Sequence, residues 1–528
     1  VVEADRGRGK SSAAGLAAGA LALAGGDVLV TAPAFRNAAA VFDRARALID
    51  DVTDGGAPET GRDGGRELRV PGGGRVRFRP PADAVEAVSD ADVAIVDEAA
   101  ALPVRLLEGF LDAPAVAFCT TVHGYEGAGR GFAVRFRERL SGSRFAVRDV
   151  RLDEPIRYAR NDPVEAWASR ALLLDARPAV DDAVADAAVG DASYRALDPD
   201  DLLADETLLG EAFGLLVAAH YRTEPNDLAR LLDAPNLVAR ALVADDRVVA
   251  VALLAREGGL DPETRREMYE GERVRGNMVP DVLTSQLRDE DAAAPRGLRT
   301  VRIATHHALR DAGFGSRLLD EVHAEFGGEV DYFSVGYGAT PRLLRFWKRA
   351  GYRIVHLSTS RNDASGEHSA IMLRPETAAG RDLLARHAVA FRDRERDGLS
   401  DAHRDVDPDV IRGALGACSA SVPVDLTETE WRSVVGASVG PGMYDSAPGA
   451  FRDLALAALV EGADLDDRAE RLLVRKVLQG RPWEEVTDDL GFVSTSACMR
   501  ALGDAYVPLV ERYGTDFALA EGERFAGE

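Results

Sequence analysis

Near its start the chain reads Ala4-Asp5-Arg6-Gly7-Arg8-Gly9-Lys10-Ser11, and no other segment limits the fold as much. Gly7 and Gly9 let successive backbone N–H groups curl around phosphate oxygens, Lys10 reaches the terminal phosphates, and the Ser11 hydroxyl can ligate Mg²⁺. Such a loop works where a strand hands over to the first turn of a helix, so an α/β sheet is expected behind it. Ala4 stands where the pattern usually has its first glycine. Further along, Ala91-Asp92-Val93-Ala94-Ile95-Val96-Asp97-Glu98 is an apolar run ending in two acids. There Asp97 would hold the metal and Glu98 would orient an attacking water.

Around this loop, strand-like runs alternate with Ala-rich helical stretches: Val28 to Thr31, Ala91 to Val96, Ala115 to Thr120 and Phe145 to Leu152. That rhythm predicts a parallel-sheet α/β domain, the ATPase domain of the phosphate loop, over residues 1–175. Asp51 to Gly74, rich in Gly and Asp, is expected to be an exposed loop, and the acidic stretch Asp175 to Asp205 a helical connector, placed at 176–210. From Leu215 to Leu373 the strands read as antiparallel, as in Arg240 to Leu254 with its Asp245-Asp246 turn, predicting a mixed α/β domain over 211–375. After Pro375 the apolar spacing is helical, so 376–528 is read as a helical domain. A chain of 528 residues needs more than one core in any case.

The second domain carries its own anion loop. Arg299-Thr300-Val301-Arg302-Ile303-Ala304-Thr305 reads as a strand, and Arg310-Asp311-Ala312-Gly313-Phe314-Gly315-Ser316 leads into an apolar helix from Leu318 to Phe326. A strand at Tyr332 to Val335 and a helix from Pro341 to Ala350 follow. Arg-x-x-Gly-x-Gly between strand and helix resembles the pyrophosphate loop of the GNAT acetyltransferases, where glycines and the helix dipole meet the coenzyme's phosphates.

The formal charge of −24 argues against a nucleic-acid partner at low salt. Three of the 64 basic residues are lysine (Lys10, Lys348, Lys476), against 88 acids, a bias resembling salt-adapted, halophile proteins. At molar salt the Debye length is about 3 Å, so local basic density decides where a polyanion docks. Between Arg130 and Arg160 nine arginines face four acids, a segment read either as phosphate-facing or as a solvated face. Cys119, Cys418 and Cys498 have neither disulfide nor zinc spacing. No segment is long and apolar enough to span a bilayer, and a cytoplasmic enzyme is expected. Val1-Val2 in place of an initiator Met predicts that the natural N-terminus lies upstream.

Over nearly its whole length the chain resembles the tRNA(Met)/RNA cytidine acetyltransferases. The resemblance is carried by Arg6 to Ser11, Asp97-Glu98-Ala99-Ala100, Gly124 to Phe132, Pro155-Ile156-Arg157-Tyr158 and His220-Tyr221-Arg222-Thr223. Arg275-Gly276-Asn277, Arg345 to Tyr352 and Gly366-Glu367-His368-Ser369 add to it. It implies ATP-dependent transfer of an acetyl group from acetyl-CoA to N4 of cytidine in RNA, tRNA first and rRNA as a second substrate. It implies an ATP site of Asp5, Arg6, Gly7, Arg8, Gly9, Lys10, Ser11, Ser12, Asp97, Glu98 and Arg157, with Ser11 and Asp97 on Mg²⁺ and Arg157 as an internal arginine finger. It implies an acetyl-CoA site of Ile303, Ala304, Thr305, Arg310, Asp311, Ala312, Gly313, Phe314, Gly315, Ser316 and Arg349. Family members carry an N-terminal domain that would precede Val1.

The N4 amine of cytosine is neutral but delocalised into a ring that is usually stacked, so acetylation needs exposure and positioning more than a strong base. His220, Tyr221, His306 and His368 are candidate polar groups, with His220 and Tyr221 chosen as catalytic because they begin the His-Tyr-Arg-Thr segment. Tyr125, Phe132 and Phe136 are read as stacking platforms or core, and Arg468, Arg471, Arg475 and Lys476 as an RNA clamp or a solvated helix face. Two rival functions are an RNA-stimulated motor with a vestigial acetyltransferase and a protein or polyamine N-acetyltransferase.

Overall fold

Along each central strand of the first sheet, side chains alternate between two buried faces, the signature of a sheet covered on both sides. Val28, Val30, Ile95 and Cys119 enter one apolar cluster, while Leu29, Ala94, Val96 and Phe118 enter another. The computed structural model describes the chain except Arg6, 54–58, 61–64, 71–72, 122–135, 175, 220–224, 363–364, 441–442 and 527–528. It divides into two units: Val1–Ala255 with Thr300–Glu325 and Arg361–Gly366, and Arg256–Arg299 with Phe326–Ser360 and Glu367–Glu528.

In the first unit, eight strands run β1 (Val2–Ala4), β2 (Asp27–Thr31), β3 (Glu59–Thr60), β4 (Glu67–Arg69), β5 (Arg75–Phe78), β6 (Val93–Val96), β7 (Val116–Thr121) and β8 (Val150–Leu152). Their order is β3-β4-β5-β2-β6-β7-β1-β8, so β7 separates the phosphate-loop strand from the strand that ends in Asp97. All pairs from β5 to β8 are parallel. The helix Lys10–Leu23 packs on the helix Phe35–Val52 so closely that a Cβ on Gly15 would lie 2.4 Å from the Val41 carbonyl oxygen, which explains the alanines and glycines of the first helix.

Three expectations need correction. Asp51 to Gly74 is not simply a loop: β3 and β4 extend the sheet antiparallel, and Leu68 and Val70 are buried. Phe145 to Leu152 forms a strand only over Val150–Leu152, an edge whose residues are largely exposed and so lack packing to extend it. The acidic connector contains a short turn at Asp181–Ala183, a strand β9 (Ser193–Leu197) and a helix Pro199–Ala204 rather than one helix. β9 finds a partner in β10, whose backbone groups it satisfies.

The first unit also holds β10 (Leu237–Ala244) and the larger parts of β11 (Arg247–Gly258) and β12 (Arg296–Thr305), in the order β12-β11-β10-β9. Asp245 and Asp246, both in the left-handed region at φ 47° and 59°, make the tight turn that joins β10 to β11. In the second unit the order is β14-β15-β13, with β13 (Tyr332–Gly338), β14 (Arg353–Arg361) and β15 (His368–Pro375). Helices from Ala378–Gly398 to Asp516–Ala526 complete that unit, as the spacing predicts. Among the described residues no helix is long and apolar enough to cross a membrane.

Candidate functional site

β1 ends at Ala4, which is buried and pairs with Thr121 and Leu152. An alanine serves there because the position is still strand. The turn follows at Gly7 and Gly9, with φ 77° and 83°, a conformation that costs a non-glycine residue about 1–2 kcal/mol. Lys10 then opens the helix, with Ser11 and Ser12 half-buried in its first turn.

The Lys10 ammonium is buried at 7% exposure and sits among three side chains. It lies 2.8 Å from Glu98 Oε1, 3.0 Å from Thr121 Oγ1 and 3.8 Å from Asp97 Oδ1. Asp97 is fully buried; its Oδ1 accepts the Glu98 N–H at 3.0 Å, while its Oδ2 has no hydrogen-bond partner among the described residues. A buried, unpaired carboxylate oxygen beside a phosphate loop fits a cation ligand. Glu98 holds φ 51°, strain that a functional position accounts for. Cys119, on the same strand as Thr121, has its thiol pushed up to about 12 by burial and by the Asp97 carboxylate, so it is inert.

Sequence reasoning missed Thr121 and Glu165. Thr121 was legible only as the end of an apolar run, and its role follows from β7 lying next to β1. Arg8 turns away from the loop: Nε donates to Asp153 O (3.0 Å), Nη1 to Tyr158 Oη (2.9 Å) and Nη2 to Glu165 Oε1 (2.8 Å). Ile156 N–H donates to Gly7 O at 3.1 Å, and its Cδ1 would lie 2.3 Å from a Cβ on Gly9. Arg157, between Ile156 and Tyr158, is exposed and makes no ion pair among the described residues. Asp5 is half-buried, and Arg6 lies outside the described residues.

The second loop is built from backbone. After β12, where Ala304 is buried and Ile303 and Thr305 half-buried, the chain turns at Asp311 (φ 62°) and Gly313 (φ 91°). The helix Phe314–Phe326 makes its first internal bond from Arg317 N–H to Gly313 O (3.0 Å). The N–H groups of Phe314, Gly315 and Ser316 thus lie outside the helix's own ladder. Phe314 is buried and anchors the turn, Arg310, Asp311 and Ala312 are exposed, and a Cβ on Gly313 would meet only open space. These features fit a bulky anion at a helix N-terminus. Arg349 is exposed at the end of the helix Pro341–Arg349, in the second unit.

Other candidates are resolved differently. His220, Tyr221, Tyr125 and Phe132 lie outside the described residues. His306 and His368 are buried and bonded to the carbonyls of Ala179 (2.8 Å) and Ser358 (2.6 Å). Phe136 is fully buried, edge-on to Phe118, and so is core, not a platform for RNA. The Arg468 to Lys476 group is engaged within the chain, with Arg468 exposed, Arg471 and Arg475 half-buried and Lys476 buried. Arg468 lies over Phe492 and bonds the Leu490 and Gly491 carbonyls, Arg471 forks onto Asp409, Arg475 faces Asp489, and Lys476 is buried over Trp483. In the Arg-rich segment, Arg137 bridges Glu3 and Asp149, Arg151 meets Asp153, and Arg160 meets Glu154.

Fold and site together define a class: a phosphate-loop α/β domain joined, in one chain, to a mixed α/β domain whose helix Phe314–Phe326 opens on a glycine turn. The model described as RNA cytidine acetyltransferase NAT10/TcmA, helicase domain, matches residues 1–175, and that of GNAT acetyltransferase 2 matches 211–330 and 317–377. The tRNA(Met) cytidine acetyltransferase TmcA of Haloferax volcanii is 64% identical over 527 residues, 99% of this chain and 70% of its own length. That of Haloarcula marismortui is 57% identical over 527 residues, 99% and 68%. An agmatine N-acetyltransferase in its apo form, 16% identical, covers 35% of this chain and 100% of its own at a TM-score of 0.27, too low to carry an argument. The chain belongs to the tRNA(Met) cytidine acetyltransferase family. It is an acyltransferase whose GNAT domain implies acetyl-CoA and whose helicase-like domain implies ATP. Its acidic, lysine-poor composition agrees with relatives from halophilic archaea.

Proposed function

We propose that the chain transfers the acetyl group of acetyl-CoA to N4 of a cytidine in tRNA, forming N4-acetylcytidine, and hydrolyses ATP to expose that base. The observation that carries this reading is the presence, in a member of this family, of both anion loops: Lys10 set among Glu98, Asp97 and Thr121, and the glycine turn at the start of the helix Phe314–Phe326. In this reading Gly7, Gly9 and Lys10 bind the phosphates, with Asp5, Arg6, Arg8 and Ser12 shaping the loop. Ser11 and Asp97 hold Mg²⁺, which supplies charge neutralisation between phosphate oxygens. Glu98 orients water, and Arg157 is the finger that meets the terminal phosphate.

Acetyl-CoA supplies an activated thioester. The backbone of Ile303, Ala304 and Thr305 lines its arm, the loop from Arg310 to Ser316 binds its pyrophosphate, and Arg349 adds charge. His220 and Tyr221 are proposed to accept the N4 proton and steady the oxyanion, on the family resemblance alone. The rRNA substrate and a cytoplasmic setting belong to the same proposal. The vestigial-motor and protein- or polyamine-acetyltransferase readings are not favoured, because the relatives match across 99% of the chain. Incubation with labelled acetyl-CoA, ATP and total RNA, followed by digestion to nucleosides, should yield labelled N4-acetylcytidine. Label recovered only in protein or polyamine would reject the assignment.

A further inference from the structure

Arg157 is flanked on both sides by residues that grip the phosphate loop. Ile156 N–H bonds Gly7 O at 3.1 Å, and the Ile156 side chain occupies the space that a side chain on Gly9 would need. On the other side, Tyr158 Oη accepts from Arg8 Nη1 at 2.9 Å and donates to Glu165 Oε1 at 2.8 Å, the oxygen that also takes Arg8 Nη2 at 2.8 Å. The Asp153 carbonyl accepts Arg8 Nε at 3.0 Å, and the guanidinium lies 5.6 Å from the Tyr158 ring centroid. Every nitrogen of Arg8 is therefore held by the segment from Asp153 to Glu165, and Arg8 is 10% exposed.

We propose that Arg8, Tyr158 and Glu165 form a clamp that fixes Arg157 relative to the phosphate loop, making Tyr158 and Glu165 positioning residues for ATP hydrolysis. The proposal rests on the reading of Arg157 as the finger. A long, exposed arginine has many rotamers, and only a backbone held at both neighbours limits where its guanidinium can reach. Glu165 is the hub, since one carboxylate oxygen takes both a charged and a neutral donor and so couples the loop arginine to the tyrosine beside the finger. It sits in the first turn of the helix Pro163–Ala171, which has no buried residue, so removing its side chain does not open a core.

Steady-state ATP hydrolysis by the full chain tests this with Glu165→Ala, Glu165→Gln, Arg157→Ala and the Glu165→Ala/Arg157→Ala double variant. Glu165→Ala should lower kcat about tenfold with KM for ATP within about twofold, because a misplaced finger affects the transition state and not ground-state binding. Glu165→Gln, whose Oε1 still accepts both donors, should recover most of the rate. In the Arg157→Ala background Glu165→Ala should cost nothing further. A raised KM at unchanged kcat would overturn the proposal, since the clamp would then only shape the loop. An undiminished extra loss in the double variant would overturn it too. Full hydrolysis by Arg157→Ala would instead sink the finger reading, and is distinguishable because Arg157→Ala alone reports it.

Discussion

The turn before the helix Lys10–Leu23 and the turn before the helix Phe314–Phe326 both set glycines ahead of a helix, yet they are built differently. At the first, side chains do the work: Lys10 is buried with two acids and a threonine drawn from β7 and from the end of β6. At the second, backbone does it: Asp311 and Gly313 bend the chain, Phe314 anchors it, and the flanking side chains are exposed. A site made of side chains fails when one is removed. A site made of backbone fails when something is added.

The largest effect is expected from subtraction at the first site. Lys10→Ala should lower ATP hydrolysis by at least about a thousandfold, because the buried Lys10 ammonium supplies positive charge against the phosphates. It also removes the Lys10 ion pairs to Glu98 (2.8 Å) and Asp97 (3.8 Å), which should lower stability in the absence of nucleotide. Acetyl-CoA affinity, measured by calorimetry, should stay unchanged. Near-normal hydrolysis would mean that the loop is not the nucleotide site.

Addition at the second site comes next. Gly315→Glu places a side chain and a negative charge beside the free N–H groups, which should weaken acetyl-CoA binding roughly a hundredfold, about 3 kcal/mol. ATP hydrolysis should survive. An unchanged coenzyme Kd in a folded variant would show that the pyrophosphate sits elsewhere.

The smallest effect contrasts both loops with the second unit, where burial moves titrating groups. The His356 imidazole is pushed down to about 4 by burial and by Arg394, and its Nδ1 has no hydrogen-bond partner among the described residues. Against its burial, hydrogen bonds from His387 and Arg386 hold Asp289 down to about 2. A histidine depressed in the folded state binds fewer protons than when unfolded, so its stabilisation is complete above its ordinary pKa of about 6.5 and is lost as pH falls toward 4. Asp289 has the same sign at lower pH. His403, held up by Glu395 against burial, has the opposite sign and loses its contribution as pH rises. Melting temperature should therefore drop from pH 6.5 to 4, by up to about 3 kcal/mol in stability from His356, and less steeply in His356→Gln. Parallel curves for the two proteins would refute this origin of the acid sensitivity.

Both turns were legible because each is a local pattern, with glycines set within a few residues of the start of a helix. The strands of the first sheet were legible where both faces are buried, as in Val28 to Thr31, and misread where packing is thin, as at Phe145 to Leu152. Thr121 and Glu165 were not legible because the phosphate-loop residues they meet, Lys10 and Arg8, are 111 and 157 residues away. The intrachain partners of Arg468 to Lys476 were illegible for the same reason: helical spacing shows which residues share a face, but Asp409, Phe492 and Trp483, which they meet, come from elsewhere in the chain.

That hydrolysis serves base exposure is tested most directly by comparing Arg157→Ala with the unaltered chain on folded tRNA and on a short unstructured oligonucleotide, each with ATP and acetyl-CoA. Extruding a base costs a few kcal/mol, least where it is already single-stranded. Arg157→Ala should therefore lose most N4-acetylcytidine formation on folded tRNA and retain most of it on the oligonucleotide. Equal loss on both, with acetyl-CoA binding intact, would contradict the account, because nucleotide would then gate the acetyltransferase site itself.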